Sequence, residues 1–228
     1  KAIDFLLKKQ PATTTIILDD GYQTNGIKKD LEVVLLDARA PFGNGHCLPA
    51  GPLREKDLSR ANHIVMTHAN YIDLSQQQAA LQKIIAQKGA GFAHTRVTWG
   101  QHAFAGIFQA GEKKSDHNTL LAQRFFVVAG IGSFGQFCAM LKKEGVKVLS
   151  ERRFTDHHCY TKDEVAAIVA MNVPVITTEK DWVKIRPLLQ KHTPGALEQW
   201  YVARVVFDPL SKKGRRALCT TLKIFLGK

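Results

Sequence analysis

Three short apolar runs, each closed by a turn or a charged group, limit what this chain can become. Thr13 to Leu18 (TTTIIL) stops at Asp19, Asp20 and Gly21. Leu31 to Asp37 (LEVVLLD) stops at its own carboxylate, and His63 to Thr67 (HIVMT) is the third run. Runs this brief and this continuously apolar read as strands buried on both faces, which belong to parallel sheets covered by helices. Pro41 to Pro52 (PFGNGHCLPAGP) is too rich in glycine and proline to be anything but a loop, and Leu74 to Gln87 reads as a helix stopped at Gly89.

From Gly91 onward the texture changes, because His94 to Phe104 alternates polar and apolar positions as a half-exposed strand or hairpin would. The reading therefore divides the chain into residues 1–92 and 93–228. In the second part a polar stretch, 111–118, precedes strand 124–129, helix 133–143, strand 146–150 and helix 161–171. That last helix opens on the capping-box pair Thr161 and Glu164. Strands 173–178 and 201–207 follow, then a basic amphipathic helix, 211–225. The fold class is α/β, with a second, smaller α/β unit.

Composition narrows the function classes. Apolar residues make up 45% and charged residues 23% of 228 residues, so a disordered chain is excluded. No run approaches the roughly 18–20 uncharged apolar residues of a membrane-spanning helix. Four scattered cysteines without a CxxC suggest neither a disulfide framework nor a structural zinc site, which points to a reducing cytosol. The net charge of +12 is spread along the chain rather than gathered in a stripe, which argues against a nucleic-acid groove.

Several places carry groups capable of chemistry, and each also has a plain structural reading. Asp19 and Asp20 beside Gly21 stand at the carboxyl end of an expected strand, where a carboxylate can hold Mg²⁺ on nucleotide phosphates; the plain alternative is a turn. Arg54 follows a glycine-rich loop and could fork onto a phosphate. Gly130, Gly132 and Gly135 (GIGSFG), with Glu151 at the next strand end, match a dinucleotide fingerprint; the alternative is a tight turn that needs glycine. Asp156, His157, His158 and Cys159 crowd the loop before a capped helix. Consecutive residues cannot all face one metal, so an imidazole held by a carboxylate for proton transfer or phosphate contact is the better chemical reading, and a solvent-facing polar loop is the plain one. Thr177 to Lys184 (TTEKDWVK) reads as a polar strand end lining a cleft, or equally as an exposed helix start.

Taken in order, DDGYQ (19–23), VVLLDARAPFGNGHCLPAGPLRE (33–55), AGIG (129–132), FTDHHCYT (154–161) and ITTEKDWVKI (176–185) resemble the tetraacyldisaccharide 4'-kinase family. The resemblance implies a three-layer α/β/α P-loop kinase core plus a second α/β lobe joined by a β linker. It implies ATP and Mg²⁺ as cofactors, and a lipid disaccharide substrate bound between the lobes and phosphorylated on its 4'-hydroxyl. Asp19 and Asp20 would take the Mg²⁺-associated positions, Arg54 and Glu55 the nucleotide-contacting pair, and His157 the active-site histidine, with His158 in reserve. A monomer is expected, peripheral on the cytoplasmic face of the inner membrane, with no nucleic-acid partner. The alternative function is an NAD(P)-dependent oxidoreductase built on GIGSFG and Glu151.

The chain departs from the family pattern in three ways. It has no G-x-x-x-x-G-K-[ST], so the Walker A loop and the catalytic-base segment are expected to precede Lys1, and the membrane contact mainly with them. On that expectation these residues alone are inactive. Thr24 stands where the family usually has His, and Lys56 where it usually has Pro.

Overall fold

The computed structural model describes residues 2–110, 113–115, 120 and 122–226. Most of the polar stretch expected at 111–118 lies outside the described residues. The chain forms two compact units, Lys1–His102 with Phe207–Lys228, and Ala103–Val206. This differs from a division at residue 92. The C-terminal helix, expected with the second lobe, is grouped with the first residues of the chain.

In the first unit, helix α1 (Ala2–Lys9) precedes strands β1 (Val33–Asp37) and β2 (His63–Thr67), helix α2 (Leu74–Lys88) and strand β3 (Arg96–Gln109). The three strands are parallel in the order β1, β2, β3. Every residue of β2 is buried, as its uninterrupted apolar sequence requires. Ile64 and Met66 pack with Ala80 and Ile84 of α2. Helix α2 starts on a capping box, with Asp73 and Gln76 each accepting from the other's backbone N–H, and ends at Gly89.

Thr13–Leu18 does not form the expected strand. It pairs with no described strand, and Ile17 is 86% exposed. A β-branched run is stable as a strand only when neighbours take its backbone groups and one of its faces, and none of the described residues does so.

The chain enters the second unit along β3 and leaves along its last strand. Between them lie β4 (Lys113–Lys114), β5 (Arg124–Ala129), α3 (Phe134–Lys143), β6 (Lys147–Arg153), α4 (Lys162–Val169), β7 (Val175–Thr178), α5 (Glu179–His192) and β8 (Trp200–Pro209). Strands β8, β7, β5 and β6 are parallel neighbours in that order. Alternation along β5 sends Phe125, Val127 and Ala129 to one face, against Phe137 and Leu141 of α3. Phe126 and Val128 go to the other, against Val165 of α4 and Trp182 and Ile185 of α5. Helix α6 (Lys212–Leu226) closes the chain.

Helix α5 was not expected as a full element. Its signal was present in the Thr178 N-cap, whose hydroxyl accepts from Asp181 N–H, and in the spacing of Trp182, Ile185 and Leu189.

Candidate functional site

In the first unit, the residues after Leu18 turn sharply. Asp20 adopts a left-handed conformation (φ 51°, ψ 30°) and Gly21–Gln23 forms a single 3-10 turn. Aspartate tolerates this region better than most residues. The turn places both carboxylates in solvent. Asp19 Oδ1 accepts the Asp20 N–H at 3.1 Å, and Arg54 Nη1 donates to Asp20 Oδ2 at 2.9 Å. Arg54 and Asp20 side chains are 61% and 74% exposed, so this ion pair contributes little to stability and is open to a ligand.

Two cations outside the sequence reading hold that turn from behind. Lys29 Nζ donates to the carbonyls of Gly21 (2.9 Å) and Thr24 (3.1 Å), and Arg60 Nη2 donates to the carbonyl of Tyr22 (2.7 Å). Both also pair with Glu32, which is buried. The Arg60 guanidinium lies 4.6 Å from the Tyr22 ring centroid, and burial pushes the Tyr22 phenol up to about 12. Glu55, expected beside Arg54 at the nucleotide, instead accepts from Arg60 at 3.1 Å. Its carboxylate therefore braces the turn. No signal in the sequence marked Lys29 or Arg60, because their partners are backbone carbonyls.

The glycine-rich loop braces itself. Asn44 Nδ2 donates to the Ala50 carbonyl at 2.9 Å and Asn44 Oδ1 accepts the His46 N–H at 3.1 Å. A Cβ on Gly51 would lie 2.1 Å from Asn44 Oδ1, so only glycine fits there.

At the carboxyl ends of β1 and β2, Asp37 accepts a forked pair of hydrogen bonds from Arg39, which holds its carboxyl below the usual carboxylate range. His68 approaches the same carboxylate at 3.3 Å.

In the second unit, the two histidines of the DHH run have different surroundings. The His158 ring stacks on Phe154 (centroids 4.5 Å apart), meets Tyr160 edge-on, and places Nε2 3.0 Å from Glu164 Oε2. Glu164 is held below its usual range first by the Thr161 N–H of the capping box and then by His158. The His158 ring is thus engaged by three neighbours. His157 is exposed, has a left-handed φ of 59°, and its ring joins no hydrogen bond or ion pair among the described residues.

The dinucleotide reading does not survive this geometry. Glu151, the acid meant for a ribose, is paired with Lys142 Nζ at 2.8 Å. Space beside Gly130 is filled by the Thr155 carbonyl, His158 and Asp181, all within 3.2 Å of where a Cβ would sit. The glycine serves a tight strand-to-helix turn.

The described residues contain no group of three or more His, Cys, Asp or Glu able to hold a metal ion. Two exposed carboxylates nonetheless suit Mg²⁺, which is usually bound by one or two carboxylates together with phosphate oxygens and waters. Arg54 beside them suits a phosphate. The structure thus brings Asp19, Asp20 and Arg54 together, assigns Glu55 to Arg60, and carries His157 on the other unit.

Residues 1–223 match the family model described as LpxK, tetraacyldisaccharide-1-P 4'-kinase. A tetraacyldisaccharide 4'-kinase of Anaeromyxobacter dehalogenans is 33% identical over 190 residues, covering 80% of this chain and 49% of that protein. The protein of that name from Elusimicrobium minutum is 34% identical over 192 residues, covering 81% and 50%. The chain thus spans about half the length of the curated relatives it matches. A crystal structure of LpxK from Aquifex aeolicus in complex with ATP superposes with a TM-score of 0.65 at 22% identity, over 97% of this chain and 61% of that one. That likeness establishes a shared α/β fold. With nearly all of its length matched by the family model, the chain belongs to the tetraacyldisaccharide-1-P 4'-kinase family.

Proposed function

We propose that the protein bearing this chain is an ATP- and Mg²⁺-dependent kinase that phosphorylates the 4'-hydroxyl of a tetraacylated glucosamine disaccharide 1-phosphate, a lipid A precursor. The observation that carries this reading is the solvent-facing Asp20–Arg54 pair at 2.9 Å, set within the DDGYQ and LRE segments of a family member. The relatives bear the name of this activity, and one was solved with ATP. When bound, Mg²⁺ and ATP would supply charge neutralisation and the transferable phosphoryl group. Asp19 and Asp20 would hold the cation through their exposed oxygens. Arg54 would turn from Asp20 toward a phosphate, a short movement for an exposed side chain. Lys29 and Arg60 would keep the turn in place while it does so.

His157 would serve the sugar hydroxyl, taking or steering its proton at a ring nitrogen. Support for His157 over His158 is that Glu164, Phe154 and Tyr160 already occupy the second imidazole. The substrate's acyl chains make a membrane surface the place of action, on the cytoplasmic face. No helix of the described residues is long and apolar enough to cross a membrane. Helix α6 carries exposed Lys212, Lys213, Arg215 and Arg216, which suit peripheral contact with anionic lipid.

The test is γ-phosphate transfer to the disaccharide by the protein made from the complete gene. Transfer should require ATP and Mg²⁺ and drop sharply in Asp20→Ala and in His157→Ala. Wild-type turnover in both variants would remove the site assignment.

A further inference from the structure

The segment Thr177 to Lys184 contains two groups that the reading above leaves without a role, Asp181 and Lys184. Resting on the reading that His157 serves the reaction, we propose that Asp181 and Lys184 are positioning residues, gripping the backbone on either side of His157 so that its imidazole is presented in one orientation.

Asp181 lies in the first turn of α5 with no exposed surface. Its Oδ2 accepts the Thr178 hydroxyl at 2.7 Å and the Gly130 N–H at 3.1 Å, while its Oδ1 is buried with no hydrogen-bond partner among the described residues. A buried carboxylate left half-satisfied is costly, and capping a helix does not require burying one. What this one adds is a hold on the turn after β5. The carbonyl of the same Gly130 accepts the His157 N–H at 3.2 Å. A short relay therefore runs from Asp181 through Gly130 to the backbone of His157.

Lys184 lies three residues further along α5, close to one helical turn, and donates to the carbonyl of His158 at 2.9 Å. The N–H of His157 is thus shared between Asp156 Oδ1, at 3.1 Å, and the Gly130 carbonyl that Asp181 holds, and the carbonyl of the next residue is held by Lys184. Between them His157 keeps a left-handed φ of 59°. Histidine adopts this conformation more readily than most residues, and the hydrogen bonds on either side keep it there. Gly130 leaves no slack, since a Cβ there would lie 2.9 Å from the Thr155 carbonyl and 3.0 Å from His158 Cβ. The neighbouring Tyr160 phenol is kept un-ionised by burial and by the Asp181 charge, so it is no rival for the proton chemistry. One helix start thereby fixes the strand turn and the histidine loop together.

The test compares Asp181→Ala, Asp181→Asn, Lys184→Met and Lys184→Arg. In isotope-labelled 228-residue chain, Asp181→Ala and Lys184→Met should shift or broaden the His157 amide and imidazole resonances. In the protein from the complete gene they should lower kcat by about ten- to a hundredfold, with KM for ATP changed by less than roughly twofold. Asn keeps one acceptor oxygen for Gly130 and Arg keeps a donor for His158, so both should restore most of the signal and of the rate. Unchanged His157 resonances and unchanged kcat in the folded variants would overturn the proposal. So would losses that the conservative variants do not rescue, since those would mark a role in packing alone. Should Asp181→Ala fail to fold, half-buried Lys184 carries the test. If the resonances move while kcat stays constant even in His157→Ala, the positioning stands and the assignment of His157 to the reaction falls. If His157→Ala alone loses turnover, the assignment stands and the positioning falls.

Discussion

The Asp19–Asp20 turn and the His157 loop present the same kind of cargo, an exposed reactive group at a left-handed residue, but they are built on different supports. The first presents an exposed Arg54–Asp20 pair, with the less exposed Lys29 and Arg60 on the carbonyls behind it. The second rests on a fully buried carboxylate, a glycine with no room for a side chain, and an imidazole stacked between aromatic rings. An exposed ion pair rearranges at little cost. A loop fixed through buried hydrogen bonds does not. On the function proposed above, the first would suit uptake and release of phosphate and cation, and the second would suit a group held in one geometry.

That contrast predicts different outcomes on the two sides. The largest effect should come from His157→Ala and Asp20→Ala, each lowering kcat on the order of a hundredfold or more. Neither should lower the melting temperature by more than the few degrees that alanine's cost of about 1 kcal/mol at a left-handed position brings, because both side chains are exposed. A matched fall in melting temperature would make both residues structural and break the comparison. Next comes Gly130→Ala, whose added methyl must displace the Thr155 carbonyl or His158. It should cost about 1–3 kcal/mol, read as a drop of several degrees in thermal unfolding. Gly135→Ala, with nothing within 4 Å of its Cβ, is the control and should be neutral or slightly stabilising.

A smaller loss, about 1 kcal/mol, is expected for Thr161→Ala, which removes the capping box of α4 that also orients Glu164 toward His158. The smallest is a pH effect confined to the first unit. His63 is buried between the hydroxyls of Thr98 on β3 and Thr221 on α6, close to the Arg96 guanidinium, and its imidazole is held below the ordinary value of 6.5 by burial and then by Arg96. A depressed histidine favours the neutral form in the fold. Its contribution is therefore complete above pH 6.5 and is lost as pH falls below that value toward the folded one. Melting of the wild type should decline over this range, and His63→Gln should flatten the decline. An unchanged slope would remove His63 from the account.

Much of this was readable in the residues themselves. Strands β2 and β5 occupy the stretches their apolar runs marked, and α2, α3 and α4 lie within a few residues of their expected ends, because glycine stops and capping boxes are local signals. The exposed turn at Asp19 and Asp20 was legible for a similar reason, since aspartate and glycine favour turns locally, whereas the Arg54 contact with Asp20 spans 34 positions. Misreadings arose where the deciding contact lies far along the chain. TTTIIL had the composition of a strand and lacked a neighbour. Glu55 meets Arg60, a contact that nothing near LRE announces. TTEKDWVK reads as a strand end or equally as a helix start; the structure makes it both, the end of β7 and the start of α5, and places Asp181 under Gly130, 51 positions away in sequence.

Sequence alone determined the elements and the candidate reactive groups, because backbone propensity, capping and side-chain chemistry act within a few residues. Tertiary structure decided which of two adjacent histidines stays exposed, which carboxylate meets Arg54, and which is buried beneath a loop. Those outcomes depend on burial and on partners brought close only by folding, and no window along the chain contains them.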